Sequence, residues 1–228
     1  NHSRIFQYNA VVLFHSVMAP GGKGCCCDTG GWCTDGYDKT WAPLIAEYVG
    51  KGGGVFLFPS ENNVGGQQMF DLTELFEVKL PAEMLVESNS SNMATLTNAV
   101  TVPIAYTDNV VNRSHPVSAG VRSIWHAIEA TYNAAQGSSI YPTSDAWDVL
   151  IKASPTVHTQ NINLTKPALP PPPKEQVFQR TSPVQSPPLF ACRSYLKGRV
   201  CVTNQWRQFL VGSGAKWIFG NQVLSTGV

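Results

Sequence analysis

Charge is scarce in this sequence. Of 228 residues, 16 are Lys or Arg and 15 are Asp or Glu, a net of +1. No basic stripe gathers these charges, which argues against nucleic acid or an anionic membrane as partner. Long apolar runs are missing as well. None approaches the roughly 20 residues a membrane-spanning helix needs. No C-x-x-C pair occurs, and Asp28, Asp35 and Asp38 match no EF-hand spacing. No metal or other cofactor is therefore expected. The opening NHSRIFQYNA lacks the n-region and h-region of a signal peptide. It leads straight into a strand, so a processed or trimmed chain is expected.

What the chain does have is cysteine and sequons. The six cysteines are Cys25, Cys26, Cys27, Cys33, Cys192 and Cys201. An even count favours disulfides. Cys25, Cys26 and Cys27 pair poorly among themselves, because adjacent residues fit disulfide geometry badly. Cys33 is their nearest partner. A four-thiolate zinc site is the alternative, and three consecutive cysteines converge poorly on one tetrahedron. Cys192 and Cys201 stand symmetrically about a turn, where a cross-strand disulfide fits the pleat. N-x-S/T sequons begin at Asn1, Asn89, Asn112 and Asn163. Sequons, paired cysteines and low charge together favour a secreted, extracellular glycoprotein carrying N-linked glycans.

Taken in order, Tyr8 to His15 is a continuous apolar run that predicts a buried parallel strand. Residues 19–39 form a Gly/Cys-rich loop insertion longer than ordinary connections. Thr40 to Gly50 predicts a helix capped by Thr40, with Pro43 in its first turn. Gly50 to Gly54 ends it, and Val55 to Phe58 is the next strand. Gln67 to Phe76 predicts a second helix. From Glu77 to Asn112, short apolar runs alternate with Ser/Asn/Thr turns, which predicts an antiparallel extension. Ile128 to Tyr132, Gly137 to Tyr141 and Trp147 to Ala153 read as further strands. Residues 155–188 hold Pro170 to Pro173 and predict a proline-rich loop or arm. Leu189 to Cys192 and Arg199 to Thr203 form a hairpin, and Phe209 to Phe219 a final helix.

Four of these pieces resemble the class I glutamine amidotransferase-like superfamily, in particular its non-catalytic and trehalose-utilisation-like branches. They are YNAVVLFH, IAEYVGKGGGVFLF, HPVSAGV followed by YPTSDAWDVLIKA, and LFACRSYLKGRVCV, in the family's order and spanning most of residues 8–203. The resemblance implies one α/β domain over 1–228. Its sheet would be partly parallel and flavodoxin-like, with the antiparallel extension and the proline-rich arm added. It also implies that the family's first strand-helix-strand unit lies before residue 1. A sheet missing that unit has an open edge, to be completed by a second copy or by another chain.

The family's chemistry needs a cysteine on the turn after the glycine-preceded strand. Here that turn reads Pro59-Ser60-Glu61. Pro59 removes a backbone N–H that an oxyanion hole would use. Two functions follow. One is a non-enzymatic module with a structural or binding role, in an extracellular assembly or filament. The other is a carbohydrate-directed hydrolase or isomerase, using His15, Ser16, Ser60, Glu61, His115 and His126 at the strand ends. Trp32, Tyr37 and Trp41 beside that site are the residues that would stack on sugar rings.

Overall fold

The computed structural model describes residues 2–14, 37–58, 70–97, 101–128, 139–161 and 178–203. Within them the fold is mixed α/β, with strands predominating. At its centre is a five-stranded mixed sheet. Its strands are β1 (Ala10–Phe14), β2 (Gly54–Phe58), β9 (Asp148–Lys152), β11 (Pro188–Tyr195) and β12 (Gly198–Thr203), in the order β1-β2-β12-β11-β9. β2 runs parallel to both β1 and β12, while β11 runs antiparallel to β12 and β9.

The continuous apolar run Val55 to Phe58 belongs inside this sheet, between β1 and β12, because both of its faces are covered. Val55 and Leu57 join Val200 and Val202 in one core, and Phe56 and Phe58 join Cys201 and Phe190 in the other. Each fully buried side chain of this size contributes about 1.5–3 kcal/mol.

The first face is covered by α1 (Tyr37–Gly50) and α2 (Phe70–Leu75), through Ile45, Tyr48, Val49 and Leu72. α1 begins three residues before Thr40, so Thr40 does not cap it. Pro43 lies inside the helix, on its exposed side. The glycine run then closes α1 as a Schellman motif. Gly53 N–H donates to Tyr48 O at 3.1 Å, and Gly52 N–H to Val49 O at 2.9 Å. Gly52 has φ +110°, and a Cβ on Gly53 would lie 2.2 Å from the Tyr48 ring.

The second face is covered by antiparallel structure. β4 (Glu83–Glu87) pairs with β10 (Val157–Asn161). β5 (Met93–Thr97), β6 (Thr101–Thr107) and β7 (Ile124–Ala127) make a three-stranded sheet. β3 (Val78–Lys79) pairs with β8 (Tyr141–Pro142) beside the helices. Two short 3-10 helices complete the described elements, η1 (His2–Gln7) and η2 (Ser90–Asn92).

Residues 155–188 differ from the predicted arm at both ends. Val157–Asn161 is a strand in register with β4. On the other side, Phe178 O accepts from Ala82 N–H at 2.7 Å, and Val184 O from Thr159 N–H at 3.0 Å. Pro170 to Pro173, residues 129–138 and the helix expected at Phe209 to Phe219 lie outside the described residues.

The sheet's two edges differ. At β9 the chain folds over its own edge. Val111 N–H donates to Leu150 O at 2.9 Å, and Lys152 N–H to Asn109 O at 3.0 Å. At β1, no further strand pairs among the described residues.

Candidate functional site

In a sheet with parallel strands, ligand sites gather at the strands' carboxyl ends. Phe14 and Phe58 are register partners, and Leu57 pairs with Val202, so β1, β2 and β12 end side by side. His15 follows the first of these ends in sequence, and Ser60 and Glu61 follow the second. All three lie outside the described residues, as do Ser16, Trp32 and Cys25, Cys26, Cys27 and Cys33. At the described rim, Thr203 Oγ1 donates to Leu189 O at 2.8 Å, which ties β12 to β11. Phe58 is buried and packs on Phe56, ring centroids 4.1 Å apart.

The structure does not bring His115 to this rim. Its turn is fixed by local bonds: Val117 N–H donates to His115 Nδ1 at 3.2 Å, and Ser118 N–H to His115 O at 3.0 Å. Burial pushes its imidazole below the ordinary value, helped by Arg199 and opposed by Asp148. Arg199 is the second residue of β12 and Asp148 the first of β9, at the end of the sheet opposite Phe58 and Thr203. His126 is buried on β7, 1% exposed.

Two groups of buried polar residues stand out in the structure; of their members only His126 was singled out from the sequence. β4 turns Glu83, Leu85 and Glu87 to its buried face. The signal was the spacing E-x-L-x-E, which puts both carboxylates beside an apolar residue. Met84 and Val86 make the other face equally apolar, so the pattern does not say which side is inside.

Glu83 is fully buried and held by Ser139 and Arg180. Ser139 Oγ donates to one carboxylate oxygen, and Arg180 Nε to the other at 3.1 Å. Arg180 Nη2 also donates to Ser139 Oγ at 3.1 Å and to Ile140 O at 3.2 Å. Burial is the largest influence on the Glu83 carboxyl and raises its pKa; Ser139 and Arg180 oppose that rise. The Arg180 guanidinium lies 4.7 Å over the Tyr141 ring, which stacks on Phe178 at 5.1 Å. This network clamps the chain returning from the proline-rich segment onto β4 and β8. It contains a serine and a carboxylate, but an arginine where acid–base catalysis would need a histidine.

Glu87 and His126 make the second group. Glu87 Oε1 accepts from Asn89 N–H at 2.8 Å, and His126 Nδ1 lies 3.2 Å from Ala127 O. Glu87 Oε2 and His126 Nε2 are buried without a hydrogen-bond partner. Burial pushes the His126 imidazole down to about 4. On the surface, Ser88 Oγ stands 3.4 Å from His158 Nδ1, too open and too long for an activated nucleophile. Among the described residues, no set of three or more His, Cys, Asp or Glu could hold a metal ion.

Two sequon asparagines have a local structural use. Asn89 Oδ1 accepts from Ser91 N–H at 3.1 Å and caps η2. Asn112 Oδ1 accepts from Ser114 N–H at 3.2 Å, Ser114 Oγ at 2.9 Å and His115 N–H at 3.1 Å. These are Asx-type turns, which favour Asn followed two residues later by a small polar residue whether or not a glycan is attached. Asn1 and Asn163 lie outside the described residues. Cys192 and Cys201 are register partners joined by a disulfide, with Cα atoms 4.0 Å apart, as the hairpin spacing predicts.

No family model matches the chain, and no curated protein matches it. Solved structures similar to it include two proteins from Salmonella typhimurium. The first is Cytoplasmic Protein STM3548 from Salmonella typhimurium, with 12% identity and a TM-score of 0.40, covering 98% of this chain and 73% of that one. The second is Cytoplasmic Protein STM1381 from Salmonella typhimurium LT2, with 13% identity and a TM-score of 0.38, covering 98% and 68%. The expectation of a secreted, extracellular chain is corrected here, because both similar structures are described as cytoplasmic. Those words concern the two Salmonella proteins, and no compartment is assigned to this chain.

Proposed function

We propose that this chain is a non-enzymatic binding or structural module on an amidotransferase-like, flavodoxin-like sheet, and that its working surface is the β1 edge. The observation that carries this is the contrast between the sheet's two edges. β9 is covered by residues 108–111, whereas β1 has no further strand beside it among the described residues. Edge strands are ordinarily protected by charge, proline or a bulge. Gln7 to Phe14 contains no charged residue and no proline. Tyr8 is 61% exposed and Val12 49%.

The partner is a second copy of this chain. Antiparallel pairing of β1 with its copy about a two-fold axis at Val12 sets Ala10 opposite Phe14 and Val11 opposite Leu13. No like charges face each other, and every pair is apolar, which makes the edge self-complementary. The sequence around β2 supports a non-catalytic role. Pro59, Ser60 and Glu61 follow Phe58, and no cysteine stands there.

Light scattering on the eluting full chain tests the proposal. The expected result is twice the 24.8 kDa chain mass, falling to a single chain in Val12→Lys. A wild-type monomer at the highest soluble concentration overturns it. So does a dimer that survives Val12→Lys. Turnover of an amide, ester or glycoside that Glu61→Ala abolishes would replace it with the hydrolase reading.

A further inference from the structure

Tyr195 and Gly198 are register partners, so β11 and β12 are joined by a turn of two residues, Leu196 and Lys197. Such turns ordinarily take Asn or Gly at their first position, because the backbone there is left-handed. Leu196 stands there with φ +53° and a side chain 80% exposed. A bulky apolar residue strains this backbone and gains little packing in return. Residues that break a local rule without benefit to the fold mark functional surfaces.

The tip belongs to a larger patch around the carboxyl end of α1. Leu196 Cδ1 lies over Gly50, 3.1 Å from where a Cβ would stand. Lys51 follows Gly50, and its Nζ lies 4.7 Å over the Phe6 ring. Ile5 roots η1 in the core, which leaves Phe6 at the surface, edge-on to Tyr48 at 6.0 Å. Tyr48 Oη donates to Tyr8 O at 2.9 Å and fixes Tyr8 beside the same helix end, at the corner with β1. Phe6, Tyr8 and Leu196 are three of the six large apolar side chains exposed among the described residues, so the patch is a concentration and not a scatter.

Cations border it. Arg4, Lys51 and Lys197 are all exposed. Lys51 is paired with Glu47 at 2.5 Å, while Arg4 and Lys197 form no ion pair among the described residues. The three come from segments far apart in the chain. The absence of a basic run in the sequence therefore does not extend to the fold.

We propose that this end of the sheet docks on an anionic lipid surface. Leu196 enters the apolar boundary, Phe6 and Tyr8 lie at headgroup depth, and Arg4 and Lys197 meet the anionic headgroups. The patch is a projecting tip and not a cleft, which suits a surface that yields to it. A second copy of the chain is a poor occupant here, because like charges on Arg4 and Lys197 would face each other. One leucine and two aromatic rings make the attachment weak and reversible. The inference goes beyond the pairing at β1 and does not require it.

Flotation of the full chain with phosphatidylcholine vesicles, with and without phosphatidylserine, tests this. Binding is expected only where phosphatidylserine is present, and raised salt should weaken it. Leu196→Asn should bind at least about tenfold more weakly. The same variant should unfold in urea no earlier than wild type, because Asn tolerates the left-handed backbone. Lys197→Glu should lose binding as well. Val111→Asn removes an exposed valine beside β9 and should bind as wild type does. No binding to phosphatidylserine vesicles, or equal binding to both kinds, overturns the proposal. So does wild-type binding by Leu196→Asn or Lys197→Glu, or an equal loss in Val111→Asn. Earlier unfolding of Leu196→Asn overturns it too, since Leu196 would then serve the fold.

Discussion

Substituting Gly198 by alanine should damage the fold where the hairpin packs on the glycine turn. Gly198 opens β12 at the foot of the hairpin and lies against the carboxyl end of α1. A Cβ there would stand 2.2 Å from Gly53 O, 2.3 Å from Val49 O and 2.9 Å from Val49 Cγ1. The first two contacts are to backbone that is itself committed, to the Schellman motif and to the start of β2. Neither can move without shifting a helix end or a strand. Overpacking of this kind costs about 1–3 kcal/mol, and the two carbonyl contacts place Gly198→Ala at the upper end, about 3 kcal/mol. For a chain of this size that corresponds to a loss of about 6–12 °C in Tm. Gly50→Ala is the matched control. Its Cβ would meet only Leu196 Cδ1 at 3.1 Å, the end of a side chain that is 80% exposed. Leu196 can swing away, and alanine is the better helix former by up to about 1 kcal/mol. Urea unfolding of both variants decides the matter. A loss below about 0.5 kcal/mol in Gly198→Ala, or equal losses in the two, would refute the packing of the hairpin on the glycine turn.

Other perturbations separate the remaining parts of the fold. Arg180→Met should cost about 3–5 kcal/mol, because it strands the buried Glu83 carboxylate. Adding Glu83→Gln to it should recover part of that loss, and a double-mutant cycle by chemical denaturation reads the coupling. Asn112→Ala should cost about 1–2 kcal/mol, read in a thermal melt, by removing an acceptor that serves three donors. Asn112→Asp keeps the acceptor and should remain near wild type in the same thermal melt.

How much of this was legible in the sequence depends on which force fixed each element. Val55 to Phe58 could be read because a strand buried on both faces must be apolar throughout. The glycine run could be read because helix closure needs a left-handed residue, and Gly52 supplies it. The Cys192–Cys201 pair followed from symmetry about a turn. β10 could not be read. Its sequence VHTQN has only Val157 to bury among aliphatic residues, and its pairing with β4 is set by strands distant in the chain. The early start of α1 was hidden by Pro43, which suits a first turn and sits here inside the helix. The carboxylates of β4 were obscured because Arg180 lies 97 residues from Glu83. No local pattern announces such a partner. The sequons showed the opposite problem. Asn89 and Asn112 carry a motif that two unrelated demands produce, and local turn geometry satisfies it by itself.

The central claim is that the β1 edge joins a second copy of this chain. Hydrogen–deuterium exchange of peptides covering Ala10–Phe14, at high and at low protein concentration, addresses it most directly. The account predicts protection in β1 that grows with concentration and vanishes in Val12→Lys, while β9 and β11 exchange alike in every sample. Exchange in β1 that does not change with concentration or with Val12→Lys would contradict it.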